Sequence, residues 1–172
     1  RAGVAVDYED NLDVINLAVL RQYDTVVMYA NQAQHAEVPF DFMRAITRYV
    51  RGGGGFVGLH CTSGCFTQSD AWLKFIGARF ESHGGEVFKQ QLVGEHSLLK
   101  GWQNFEAWDE TYVQTHVEDD RTILSMRGDE PWSWVRDVGK GRLFYSASGH
   151  DARVWTTTGF FDMLLRAIVY TA

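Results

Sequence analysis

Two cysteines and two prolines are all that 172 residues contain of either. Cys61 and Cys65 are four positions apart, so a disulfide between them would close a loop too short to stabilise much. Two cysteines are also too few for a densely cross-linked secreted scaffold, and reduced, partly buried thiols are expected. The chain has no run of 18 or more apolar residues, so a membrane span is excluded. Acidic residues outnumber basic ones, 22 to 16, for a formal charge of −6, and no basic stripe accompanies the aromatics. A nucleic-acid partner is therefore not expected. No signal peptide is visible, but the chain opens on Arg1 rather than Met. The compartment stays open: cytoplasm, or periplasm and exterior if a targeting segment has been removed. No repeat, low-complexity run or charge block is present, and neither G-x-G-x-x-G after a strand nor G-x-x-x-x-G-K-[ST] occurs.

What is present is an ordinary globular mixture, 45% hydrophobic and 22% charged, of a length that fits one domain over residues 1–172. Gly3 to Val6 reads as a short strand. A helix carrying Leu12, Ile15, Val19 and Leu20 follows, and Thr25 to Tyr29 reads as a buried strand. Pro39 opens a helix with Phe42, Ala45, Ile46 and Tyr49 on its inward stripe. Gly52 to Gly55 stop that helix and turn the chain into a strand at 56–59. Asp70 to Ile76 is a short helix between Ser69 as cap and Gly77 as stop. Segments 86–93, 111–113, 122–127 and 132–138 read as shorter, partly exposed strands, Arg142 to Ser146 as a buried one, and 158–170 as an amphipathic helix. The sum is an open three-layer α/β domain with a strand-rich insertion. Its sheet is expected to be mostly parallel, with about five strands, 25–29, 56–59 and 142–146 adjacent at its centre, and a small antiparallel extension from 86–138.

The chemistry concentrates at GLHCTSG, where a strand ends on His60 and Cys61 and runs into small residues, the form of a nucleophile elbow. Cys61 is a candidate nucleophile, an inert thiol or a minor site residue. His83, His96 and His150 lie in similar polar or glycine-bordered places. Neutral imidazoles favour zinc or a similar transition metal, so His83 and His96, with His60 or His150, form a candidate metal set. Asp109 and Glu110 sit in an acidic turn where one carboxylate could act as general base, hydroxyl clamp or histidine orienter. Asp151 could fix the tautomer of His150 or cap the next turn. Trp102, Trp132 and Trp155 are candidate walls for a sugar ring, with Trp155 the one on the crevice side.

These residues carry a resemblance. The motifs YVRGGGGFVGLH at 49–60, GARFESH at 77–83, EH at 95–96, WDETY at 108–112, WSWVRDVGKGRLFYSASGHD at 132–151 and the closing FFDMLLRAIVY run in order along nearly the whole chain. The chain resembles the ThuA-like family, named for trehalose utilisation, within the class I glutamine amidotransferase-like superfamily. The resemblance implies a flavodoxin-like α/β/α layering with the site above the carboxyl ends of the strands. Members begin with a further strand and a histidine-bearing loop ahead of the segment matching Gly3 to Val6, a start this chain does not carry. The segment EHSLLKGWQNF also departs from the family's usual HPI run.

Amidotransferases place a nucleophilic cysteine at the elbow and a histidine after a late strand. Here His60 holds the elbow, His150 matches the late histidine, and Cys61 lies one residue too late. The family pattern favours Glu110 over Asp109. It implies an enzyme acting on a sugar or keto-sugar by hydrolysis, elimination or isomerisation, with His60, Glu110 and His150 as catalytic residues. Cys61, Asp109, Asp151 and Trp155 would bind substrate, and zinc is the candidate cofactor. The partner expected is a small carbohydrate, and a homo-oligomer stays open. The alternatives are a non-catalytic sugar- or protein-binding module and a cysteine-dependent amidase.

Overall fold

The computed structural model describes residues 3–31, 35–116 and 118–172. Among these, six strands form one sheet in the order β1-β2-β8-β7-β6-β4: β1 (Thr25–Met28), β2 (Gly55–Leu59), β4 (Gln91–Leu92), β6 (Thr122–Arg127), β7 (Glu130–Val138) and β8 (Gly141–Ser146). The remaining two, β3 (Ala78–Lys89) and β5 (Glu106–His116), pair with each other as an antiparallel ribbon. The helices are α1 (Leu17–Leu20), α2 (Phe40–Arg51), α3 (Asp70–Ile76), α4 (Ala152–Trp155) and α5 (Thr158–Thr171).

The sheet is covered on both faces, and the two-residue period of its strands divides the interior into two cores. Phe56 of β2 and Leu143 and Tyr145 of β8 belong to the core with Phe42, Ile46 and Val50 of α2 and Trp72 and Phe75 of α3. Their neighbours Val57, Leu59 and Phe144 belong to the other, with Phe160, Met163, Leu164 and Ala167 of α5. Trp72 meets Phe42, Phe56, Phe66 and Phe75 at centroid separations of 5.3–6.1 Å. Replacing fully buried Phe56 by alanine would cost about 3–5 kcal/mol. The expected three-layer α/β/α architecture is the observed one.

Several details differ from expectation. Gly3 to Val6 forms no strand, and Val6 is 79% exposed. The first helix is broken into a 3₁₀ turn at Leu12–Val14 and α1, because extended Asn16 caps the second piece by accepting from the Ala18 and Val19 N–H groups. The antiparallel extension expected from 86–138 is present but is half of the sheet, which is therefore mixed and not mostly parallel: β1-β2 and β2-β8 are parallel, while β8-β7, β7-β6 and β6-β4 are antiparallel. Strand β1 neighbours β2 as expected but is outermost among the described strands, and Val27 is 40% exposed there. Segment 86–93 is split between two sheets: 86–89 ends β3, which starts at Ala78 and pairs with β5 in the ribbon, while Gln91–Leu92 is β4 of the six-stranded sheet, and 111–113 lies inside β5, which starts at Glu106.

The ribbon carries the site. In its register His83 faces Tyr112, Gly85 faces Glu110 and Val87 faces Trp108. Residues two apart share a face, so Trp108, Glu110 and Tyr112 project together. They meet the chain where β2 and β8 end.

Candidate active site

Strand β2 ends at Leu59, and His60 adopts φ 46°, a left-handed conformation that few side chains other than glycine accept. Three buried groups hold it there. The Tyr145 hydroxyl donates to the His60 carbonyl at 2.9 Å, the Thr62 hydroxyl donates to the Met28 carbonyl at 2.9 Å, and the Trp72 indole N–H donates to the Thr62 carbonyl at 3.1 Å. The elbow expected at GLHCTSG is present, with histidine on the corner.

His60 Nδ1 lies 2.8 Å from the Ala147 carbonyl oxygen. A carbonyl only accepts, so Nδ1 carries the proton and Nε2 is the basic nitrogen. Burial holds this imidazole below its ordinary pKa, outweighing the nearby carboxylates. The Tyr112 ring lies against it at 4.3 Å and 32°. Nε2 points at Glu110 Oε2, 3.2 Å away.

Glu110 is the hub. Its Oε1 is 3.2 Å from His150 Nδ1 and 3.4 Å from His83 Nδ1. The backbone bearing His150 is fixed by buried Asp109, which accepts from the Gly149 and His150 N–H groups at 3.0 and 3.1 Å and from the Glu110 N–H at 2.9 Å. Burial pushes the Asp109 carboxyl up, against the pull of those donors. Tyr29 donates to the His150 carbonyl and Trp155 to the Gly149 carbonyl. Asp109 thus anchors the loop after β8 while its neighbour Glu110 faces the histidines.

Ligand atoms of His60, Glu110 and His150 all lie within 4.8 Å of one another. Two ligands of one tetrahedral zinc stand ~3.3 Å apart, so small side-chain adjustments would let these three share an ion. Two histidines and a glutamate with an open fourth position is a catalytic zinc set, and the Ala147 carbonyl supplies the outer hydrogen bond that fixes His60. The donor set therefore fits a divalent transition metal.

Of the metal set expected at His83 and His96 with His60 or His150, the structure brings His60, His83 and His150 to Glu110 and leaves His96 apart. His83 stands beside the three-residue set, its Nδ1 near both Glu110 and the Gly84 carbonyl and its side chain 46% exposed. His96 is elsewhere: it accepts from the Leu98 N–H, packs on Tyr170 at 5.1 Å, and lines a cavity of about 260 Å3 with Asp120, Arg136 and Asp137. Asp137 pairs with Arg142 at the start of β8, whereas His60 and His150 follow the ends of β2 and β8. His96 therefore sits at the opposite end of the strands.

Cys61 lies beside Tyr112, and burial pushes its thiol up, so nothing here prepares a thiolate. Asp151 caps α4 and binds Arg153, whose hydrogen bonds bring its carboxyl down to about 2. Trp155 packs edge-on against Tyr29 and Phe160, while Trp102 and Trp132 are core residues. Trp108 and Tyr112, which touch the cluster, were missed. Alternation in WDETY would have shown them on the face of Glu110 had the strand been read from 106 instead of 111.

A family model described as ThuA, trehalose utilisation, matches residues 1–171. The chain belongs to the ThuA family. Solved structures agree. A putative ThuA-like protein from Bacteroides uniformis is 19% identical, with 98% of this chain and 77% of that one covered and a TM-score of 0.80. One from Parabacteroides merdae is 21% identical, with 98% and 76% covered and a TM-score of 0.73. A β-galactosidase from Rahnella sp. R3 is 19% identical over 86% of this chain but only 23% of its own, with a TM-score of 0.60. At these identities the likeness is one of fold. No curated protein matches the chain. Among the described residues of this ThuA protein, no helix is long and apolar enough to cross a membrane.

Proposed function

We propose that this ThuA protein is a metal-assisted enzyme acting on a keto-sugar, removing the proton next to the ketone as the first step of elimination or isomerisation. One observation carries the reading: Glu110 lies within 3.2–3.4 Å of three imidazoles, those of His60 and His150 beyond the ends of β2 and β8 and that of His83 on the ribbon. The family description, trehalose utilisation, supports a carbohydrate as substrate.

His60, Glu110 and His150 would hold the ion, and a divalent cation there would lend positive charge to a ketone oxygen. His60 is almost fully buried, so its part is to hold rather than to reach substrate. His83 is at the exposed rim, with Nδ1 directed to the Glu110 carboxylate and the Gly84 carbonyl. That arrangement leaves Nε2 as its basic nitrogen, and Nε2 takes the carbon-bound proton. In a glycoside oxidised two carbons from the anomeric centre, the electron pair left behind expels the anomeric oxygen. The released alkoxide takes up the proton that His83 received, which returns the imidazole to its neutral form. A cysteine-dependent amidase has no support in the protonated Cys61.

The test is conversion of a 3-keto-glucoside followed by product analysis. Wild type should release the aglycone, and Glu110→Gln should slow it by roughly 100-fold or more. Turnover by Glu110→Gln at the wild-type rate would defeat the proposal.

A further inference from the structure

The ribbon that carries the site is unpartnered along one edge. Strand β3 pairs with β5 on one side, and among the described residues no strand or backbone group bonds to its other side. Glu81 through Val87 are all exposed. A two-stranded ribbon is marginal by itself, and a free edge is a template for another strand. Natural edges are blunted by proline, by bulges or by charges that repel a second strand. Proline is absent from β3, and its bulge falls between Phe80 and Ser82, which leaves 82–88 regular. Its charges are Arg79, Glu81, Glu86 and Lys89, and their effect depends on the strand that arrives.

For a second copy of the chain the registers are few. Two identical strands related by a two-fold axis through the sheet pair antiparallel, with the axis at one residue. An axis at Gly84 sets Arg79 against Lys89 of the second copy, and one at Glu86 sets Glu86 against itself; like charges directly opposed are destabilising. An axis at His83 opposes the two imidazoles and matches no charges, and one at Ser82 needs the edge of Ala78, which is fully buried. An axis at Gly85 opposes Glu81 to Lys89 and His83 to Val87, with glycine alone at the centre. Both charges are free for this. Glu81 takes Arg79 and Thr115 on Oε1, and neither its Oε2 nor the Lys89 ammonium has a partner among the described residues.

We propose that two copies of this chain join edge to edge through β3, about a two-fold axis at Gly85, so that Val87 of each copy closes over His83 of the other. His83 and Val87 pair with Tyr112 and Trp108 in the ribbon, so both lie on the face that holds Glu110. In a single copy Val87 is 63% exposed and the His83 side chain 46%. Directly opposed Cβ atoms stand about 4.5–5.5 Å apart. The second copy therefore supplies an apolar wall at the mouth of the cluster, and both sites open on one face of the joined four-stranded sheet.

Sedimentation of the full chain from about 1 to 300 µM should show monomer passing to dimer, since one strand pair buries less than a standard interface and holds weakly. Lys89→Glu opposes two carboxylates at both ends of the pairing and should weaken the dimer roughly tenfold. Adding Glu81→Lys restores opposite charges and should bring the dimer back. Backbone amides of 82–88 should exchange hydrogen more slowly at dimer concentrations than at monomer concentrations. Wild type that stays monomeric throughout would overturn the proposal. So would a dimer that Lys89→Glu leaves unchanged, a double variant no tighter than Lys89→Glu, or amides of 82–88 that exchange equally fast in both states. None of these readouts involves turnover, so they stand apart from the keto-sugar reading.

Discussion

Glu110 Oε2 stands 3.2 Å from His60 Nε2, a nitrogen left without a proton because Nδ1 donates to the Ala147 carbonyl. Two acceptor atoms this close repel each other, and a metal ion held between them would relieve the repulsion. That relationship lies behind the predictions below.

His60 should be neutral and Nδ1-protonated in metal-free protein at pH 7. Burial lowers its folded-state pKa from about 6.5, so its neutral form contributes stability above that pH. The contribution is lost as pH falls through the lowered folded value, because the unfolded chain takes the proton more readily. Denaturant unfolding from pH 7.5 to 5 should show a steeper acid loss in wild type than in His60→Asn. Equal slopes, or an Nε2–H tautomer by nitrogen NMR, would count against the assignment.

Asp109 should prove to be a positioning residue. Asp109→Asn turns an amide N–H toward backbone N–H donors in a buried place, costing about 1–3 kcal/mol of stability. The loop bearing His150 should loosen, so metal affinity drops along with stability. Loss of stability with unchanged metal affinity would show that Asp109 supports the fold alone.

The elbow strain should be measurable. His60→Gly relieves a left-handed backbone that His60→Ala retains, so the glycine variant should be the more stable of the two by about 1 kcal/mol. Both should lose activity, since both lack the imidazole. An alanine variant as stable as the glycine one would place the strain elsewhere.

Much of this was legible in the chain itself. Strands β2 and β8 are apolar on both faces, and α2 and α5 repeat apolar residues every three and four positions, so layering and strand ends followed. His60 and His150 were then placed by topology, as the residues just past parallel strands. The ribbon was hidden. ARFESHGG is polar and glycine-bearing, because β3 is exposed along most of its length, and it reads as a turn. Glu110 was therefore assigned to a turn, and its alternation with Trp108 and Tyr112 went unseen. His96 misled for a related reason: a histidine near a strand looks the same whichever end of the sheet it borders. Only the pairing of β7 with β8 shows which end that is.

Metal binding tests the central claim most directly. Protein stripped by chelator and dialysed should take up one zinc or cobalt ion per chain. Uptake should be abolished or weakened at least tenfold by His60→Ala, Glu110→Gln and His150→Ala, and unchanged by His96→Ala. Cobalt should give the absorption of a four- or five-coordinate site in wild type and His96→Ala, and in none of the other three variants. No uptake by wild type, or equal uptake by Glu110→Gln, would contradict a metal centre built on these residues.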